Sequence, residues 1–329
     1  MKLTVSVSRA LVIGSIAVAG AAGVLAQQNS VVRQPRPEAL PDPAQAHPNR
    51  NQRVTRPEGM MPVVPPGFSV SSYAEVQGGR MMVYAPNGDL FVSSPSTNSI
   101  TVLRDANNDG VFESRSVYTE GIAPPPAPPA AAPQGRGQTP QPPPPPAPPS
   151  ILGANPPACT PPPDFAVRGP GTVRVPFGLA FHDGYLYVGN TDSIVRFKYA
   201  NGDLKAQGQP EKLLELPTGG HSTRNIIFNR AGTKLYISVG SRSNNDAGED
   251  CRRAAILEFN PDGSGYRIYA SGIRNPVGLA LQPGTDTIWT AMNERDNYGD
   301  DLVPDYATSV KDGGFYGWPY SYIGKNYDP

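Results

Sequence analysis

The sequence predicts an all-β fold of the β-propeller class, and three observations carry that prediction. One strand pattern recurs: Asp89-Leu-Phe-Val-Ser93, Tyr185-Leu-Tyr-Val-Gly189, Lys234-Leu-Tyr-Ile-Ser238 and Thr287-Ile-Trp-Thr-Ala291 are versions of a single apolar strand. Each follows a second apolar run that ends in a tight turn, at residues 81–88, 177–184, 225–232 and 277–284. Asn-Gly and Asp-Gly between alternating runs are hairpin signals. The equivalent positions Leu90, Leu186, Leu235 and Ile288 lie 96, 49 and 53 residues apart. The first interval contains residues 121–163, which hold 19 of the chain's 40 prolines; setting those 43 residues aside restores a spacing of 53. Antiparallel sheets recurring at about 50 residues indicate propeller blades, and a period of two excludes a helical solenoid.

Three of the units continue into a third strand, at Ser99-Ile-Thr-Val-Leu103, Ser193-Ile-Val-Arg-Phe197 and Ala255-Ile-Leu-Glu-Phe259. Four blades are visible, and a partial fifth is expected near Phe68–Tyr73. The chain stops at Asn326-Tyr-Asp-Pro329 without a closing strand, so the expectation is a C-terminally truncated propeller; a four- or five-bladed ring is the alternative. The proline run favours polyproline II and cannot donate ladder hydrogen bonds, so it is read as a disordered insert outside the sheets. Order is expected from about Met61, and residues 27–60, rich in Pro, Gln, Asn and Arg, read as a flexible lead-in.

At the N-terminus, Lys2 and Arg9 precede an apolar run from Ala10 to Ala26 that ends in Val24-Leu-Ala26, the small-residue pattern of an export signal cleaved after Ala26. A retained membrane anchor is the other reading of the same run, which sits at the short limit of the ~17–25 residues that span a bilayer. The 28 basic and 28 acidic side chains cancel, so no net field points to nucleic acid or an anionic membrane. A small-molecule ligand is the expected partner. Cys159 and Cys251 are the two cysteines; in an oxidising compartment they either pair or stay as two free thiols.

Chemistry concentrates in three loops. His221, one of three histidines, stands in Gly219-Gly-His-Ser-Thr-Arg-Asn225 at the start of a strand, where side chains converge on a shared cavity. Arg224 on one side, with Arg242, Asn244 and Asn245 across the same hairpin, would give it a polar pocket with anion-binding capacity. There His221 is a candidate general base; the bland reading is a histidine bonded to backbone. Asp105, Asn107 and Asp109, followed by Gly110, place oxygen ligands on a tight turn suited to calcium or to an ordinary acidic turn, with Glu113 near. Asn293-Glu-Arg-Asp-Asn-Tyr-Gly-Asp-Asp301 carries four carboxylates and two amides, read either as a calcium site or as a solvated loop.

The segments Gly220-His-Ser-Thr-Arg-Asn-Ile226, Lys234-Leu-Tyr-Ile-Ser-Val-Gly-Ser241, Ala254-Ala-Ile-Leu-Glu-Phe-Asn-Pro-Asp-Gly263, Ala270-Ser-Gly-Ile-Arg-Asn-Pro-Val-Gly-Leu279 and Gly314-Phe-Tyr-Gly-Trp-Pro319 occur in that order. Together they resemble the glucose/sorbosone dehydrogenase family, the soluble pyrroloquinoline-quinone-dependent aldose dehydrogenases, over roughly residues 61–329 apart from the insert. The resemblance implies a six-bladed propeller, in the periplasm or secreted, that oxidises an aldose or related sugar aldehyde and passes electrons to an external acceptor. It implies His221 as the residue that removes the proton of the sugar C1 hydroxyl while hydride passes from C1 to the quinone. It places calcium on main-chain carbonyls at Asp296 and Asn297, and puts the family's quinone-contacting Arg-Asn pair at Asn244 and Asn245, where the arginine is replaced. The carboxylate that orients the histidine falls at Ser241, and beyond Trp318-Pro319 only Lys325 remains to clamp quinone. A calcium-dependent lactonase and a non-catalytic or truncated binding propeller are the alternatives.

Overall fold

The computed structural model describes Ala44, Thr55 and residues 57–121, 168–323 and 326–327. The expected export signal, most of the expected lead-in, the proline-rich stretch, Cys159 and Lys325 lie outside the described residues. Cys251 is disulfide-bonded.

Every regular element among the described residues is a β-strand. The first sheet contains β1 (Met81–Tyr84), β2 (Leu90–Ser94), β3 (Ser99–Arg104) and β4 (Ser114–Glu120) in that order. The second runs β5 (Gly169–Pro170), β9 (Glu211–Glu215), β8 (Ser193–Lys198), β7 (Tyr185–Asn190) and β6 (Pro176–His182). The third is β10 (Ile226–Phe228), β11 (Leu235–Val239), β12 (Ala255–Phe259) and β13 (Arg267–Ser271). The fourth is β14 (Asn275–Leu281), β15 (Ile288–Asn293) and β16 (Tyr306–Val310), followed by a two-stranded ribbon of β17 (Ser321–Tyr322) and β18 (Asn326–Tyr327). These are four propeller blades, all antiparallel. The recurrent strand of the sequence is β2, β7, β11 and β15, each the second strand of its blade's first hairpin.

Two expectations change. Residues 68–73 form no strand, so there is no partial blade there; Phe68 is 73% exposed, Tyr73 meets Phe112, and the following Ala74 and Val76 pack against Leu90, Val92 and Leu103. Each of the first three blades also gains an outer strand that the sequence hides. In β4, Ser-Arg-Ser-Val-Tyr-Thr-Glu, only Tyr118 is buried, because one face of an edge strand meets water and its apolar alternation fades.

The core lies between the blades. Phe91, Ile100 and Val102 of the first blade meet Leu179, Leu186, Val188 and Val195 of the second. On its other face the second blade sets Tyr187, Ile194 and Leu213 against Ile226, Leu235, Ile237 and Leu257 of the third. Tyr236, Ile256 and Ala270 then meet Ile288, Met292 and Val310 of the fourth. Each such aliphatic side chain contributes roughly 1.5–3 kcal/mol by leaving water. Successive inner strands approach closely: the Gly178 N–H donates to the Arg224 carbonyl at 2.8 Å, and a Cβ on Gly178 would stand 2.7 Å from that oxygen.

Antiparallel meanders assign the loops to two ends. The turn after each second strand and the segment leading into each first strand share one end, as the Gly121 N–H bond to the Asn98 carbonyl (2.7 Å) and the Thr191 hydroxyl bond to the Ser222 carbonyl (2.9 Å) show. The loop between β3 and β4 emerges at the other end. The acidic turn at 105–109 and His221 therefore occupy opposite ends of their sheets.

Candidate active site

His221 sits on the segment leading from β9 into β10, half-buried, at a cleft of about 440 Å³. The cleft is lined by His221, Arg274, Asn275 and the stretch from Asn293 to Asp305 after β15. Its Nδ1 lies 2.8 Å from the Ser241 carbonyl, which also accepts the His221 main-chain N–H at 3.0 Å. A carbonyl only accepts, so Nδ1 carries the proton and Nε2 keeps its lone pair. The Ser241 hydroxyl, 3.2 Å from Nδ1, donates to the Ser243 carbonyl at 2.7 Å. The residue expected to replace an orienting carboxylate thus orients the ring mainly through its backbone. Burial lowers the His221 pKa below 6.5, and Arg274 pushes the same way, against the Ser241 hydrogen bond.

Glycines permit this approach. A Cβ on Gly240 would stand 2.5 Å from Asn275 Oδ1 and 2.7 Å from His221 Cβ, and one on Gly220 (φ +69°) 2.3 Å from Arg242 Cα. Gly240→Ala is expected to cost about 1–3 kcal/mol of stability and to displace His221 or Asn275. Urea unfolding with a binding or turnover assay on the same variant checks it; wild-type behaviour in both would show that the site absorbs a methyl group.

Arg274 is the largest departure from the sequence expectation. It is 3% exposed, and its guanidinium donates to the Asn244 carbonyl (3.0 Å), Asn244 Oδ1 (2.8 Å), Asp296 Oδ2 (3.1 Å) and the Glu294 carbonyl. Asn244, expected to face a cofactor, is instead consumed by structure. Its Oδ1 also accepts the Asp296 N–H (2.8 Å), its Nδ2 donates to the Asp296 carbonyl (2.8 Å), and its carbonyl accepts Trp318 Nε1 (2.9 Å). Asn245 Nδ2 donates to the Tyr298 hydroxyl at 2.8 Å. The arginine–asparagine pair on the cleft is Arg274-Asn275, not Asn244-Asn245.

Arg224 and Arg242 are placed elsewhere too. Arg224 is fully buried and bonds the carbonyls of Pro217, His221 and Thr223. Arg242 is exposed and does not line the cleft; its main-chain N–H is capped by Glu249 at 2.6 Å.

Asp296 and Asn297 do line the cleft, the Asp296 side chain being 76% exposed. Asn297 takes φ +71°, a left-handed turn asparagine tolerates. Glu294 and Arg295, both buried, pair at 2.6 Å, and burial raises the Glu294 pKa. Asp305 accepts the Glu294 N–H (2.8 Å) and Asn293 Nδ2 (2.9 Å). Carboxylates of Glu294, Asp296 and Asp305 outnumber the Arg274 and Arg295 guanidiniums, and Asn275 Oδ1 is buried without a hydrogen-bond partner. These carboxylates are tied to Arg295, Arg274 and the Glu294 N–H and do not converge as a group, so a cation here would rest mainly on main-chain oxygens of the 293–305 stretch. The second candidate cation loop brings Asp105, Asp109 and Glu113 within 4.8 Å of one another, while Asn107 caps the Asp109 N–H at 2.9 Å.

A family model described as TrAA12-like matches residues 168–308, which include every blade that builds the cleft. An aldose sugar dehydrogenase of Escherichia coli (strain K12), YliI, is 28% identical over 128 residues, 34% of this chain and 33% of that protein. The Carbohydrate-Active Enzymes Family AA12 structure from Trichoderma reesei superposes with a TM-score of 0.58 at 16% identity, over 84% of this chain and 64% of that one. The pyranose dehydrogenase PQQ domain from Coprinopsis cinerea gives 0.51 at 16% identity, over 74% and 55%. The chain thus spans less than two thirds of each, and the two structural likenesses establish the propeller fold. None of the three distinguishes a sorbosone subtype. Residues 168–308 are TrAA12-like, and the resemblance to the soluble quinone-dependent sugar dehydrogenases holds at that level.

Proposed function

We propose that the chain is part of an exported oxidoreductase that oxidises an aldose or related sugar aldehyde with pyrroloquinoline quinone and calcium, with His221 as the base. The observation that carries the reading is the proton-free Nε2 of His221 at a polar cleft within the TrAA12-like segment. Its ring is held by a main-chain carbonyl, so it is set to accept a proton from a sugar hydroxyl without first losing one. Asp296 and Asn297 would hold the cation at the cleft mouth, and Arg274 and Asn275 would line the floor. The quinone, when bound, supplies the hydride acceptor. Asp305 and Arg274, bonded to the N–H and carbonyl of Glu294, hold the backbone that leads into Asp296.

Titrating the purified protein with pyrroloquinoline quinone and calcium, followed by absorbance, and then screening sugars with an artificial acceptor tests the reading. Saturable, calcium-dependent binding with sugar-driven reduction is expected. The rate should rise with pH through a midpoint below 6.5, because the neutral imidazole is the active form and burial depresses its pKa. Quinone-free, calcium-dependent ester hydrolysis would favour a lactonase instead, and absence of both quinone binding and turnover would favour a binding propeller.

A further inference from the structure

Two arginines behind the His221 segment are buried without any carboxylate partner. Arg224 is 0% exposed and Arg253 6% exposed, and neither forms an ion pair among the described residues. Both spend their guanidiniums on main-chain carbonyls. Arg224 donates through one amino group to His221 (2.9 Å) and Thr223 (2.8 Å), and through the other to Pro217 (2.8 Å). Arg253 donates to Thr218 and, at 3.2 Å, to Gly240. Four carbonyls of the 217–223 segment are thereby gathered by two cations. The fifth, Gly240, immediately precedes Ser241, whose carbonyl fixes the imidazole.

This arrangement is costly. Arg224 Nε is buried with no acceptor, burial lowers the Arg224 pKa to about 9, and Arg253 adds repulsion. A buried charge without a counter-ion is ordinarily removed from a fold unless something requires it. The planar guanidinium spans several diverging carbonyls at once, which neither an ammonium nor an apolar side chain of equal volume does.

We propose that Arg224 and Arg253 are positioning residues for His221: together they lock the segment from Pro217 to Thr223 and the Gly240-Ser241 peptide in one register. Nδ1 then stays on the Ser241 carbonyl and Nε2 stays aimed into the cleft. This inference rests on the reading of His221 as the base, and it makes its own claim about the free protein.

The test uses Arg224→Lys and Arg253→Lys in the full chain, each keeping a positive charge while losing the fork. Two readouts are taken: the His221 titration by NMR without any cofactor, assigned by the resonance missing in His221→Gln, and turnover of quinone-loaded protein. In both variants the His221 midpoint is expected to rise toward the ordinary histidine value as water reaches the ring. The maximal rate should fall by about 10²-fold, the size of effect that ~1 Å of misplacement produces, with KM little changed. An unchanged His221 titration in folded Arg224→Lys and Arg253→Lys would overturn the proposal. If Arg224→Lys fails to fold, Arg253→Lys alone decides. Loss of the base reading shows separately, as unimpaired turnover in His221→Gln, and leaves the NMR readout standing.

Discussion

Replacing His221 with alanine is expected to lower sugar-dependent turnover by ~10²–10⁴-fold, the range over which a positioned general base acts, while leaving quinone and calcium binding close to wild type. The split follows from geometry. His221 lines the cleft beside Arg274 and Asn275, whereas the oxygens that would hold a cation there belong to the stretch after β15. Removing the imidazole therefore deletes a proton acceptor without touching the cation's oxygens. His221→Gln sharpens the test, since its amide can restore a hydrogen bond to Ser241 but cannot take up a proton at neutral pH. Equal turnover in wild type and both variants would remove His221 from the mechanism. The same histidine contributes to stability, with a defined sign. Its folded pKa is depressed, so the contribution is full above about pH 6.5 and is lost as pH falls through the lower folded value.

The second large effect is expected at Arg274. Arg274→Met is expected to destabilise the fold by about 3–5 kcal/mol, the cost of breaking a buried charged network from one side. The methionine fills most of the volume but leaves the Glu294 carbonyl without the arginine donor and strips one of two donors from both the Asn244 carbonyl and Asn244 Oδ1. Asn244 is the tie between the β11–β12 loop, the stretch after β15 and Trp318, so loosening it opens the cleft. Chemical denaturation measures the stability term. A loss of calcium affinity larger than the stability term explains would identify the cleft as the part that moves. A stability change under 1 kcal/mol would show that the carbonyls find other donors.

Much of the propeller was legible because recurrent strands such as β2 and β11 are buried on both faces. Leu235-Tyr-Ile-Ser-Val239 is wholly buried, and its apolar run repeats blade by blade, with a glycine closing it at Gly189 and Gly240. Outer strands such as Ser114–Glu120 escaped because half of each faces solvent. At the site, His221 was legible from its place before a strand, whereas Arg274 and Asn275 were read only as part of a signature. A signal was present. Arg174, Arg224 and Arg274 fall 50 positions apart, each just ahead of the innermost strand of its blade, so the pair Arg274-Asn275 repeats Arg224-Asn225 one blade later. Sequence does not say which of those arginines turns toward the cleft. Arg224 faces inward because its own segment offers three carbonyls, and Arg274 faces the cleft loops because Asn244 and Glu294 meet it there. Asn244 was misassigned for the converse reason: its amide is spent on Asp296 and Arg274.

The apolar layers lie in the seams, and this has a thermodynamic consequence. A sheet such as β10–β13 has little interior of its own; its two faces become interior only when a neighbour arrives on each side. Folding free energy is then carried by nearest-neighbour couplings along a row, in the manner of a short one-dimensional lattice, rather than by the units themselves. Sites in the middle of the row inherit cooperativity from both directions. His221, on the segment joining the second sheet to the third, sits beside the seam that couples those two units, so its geometry depends on packing between residues it does not touch.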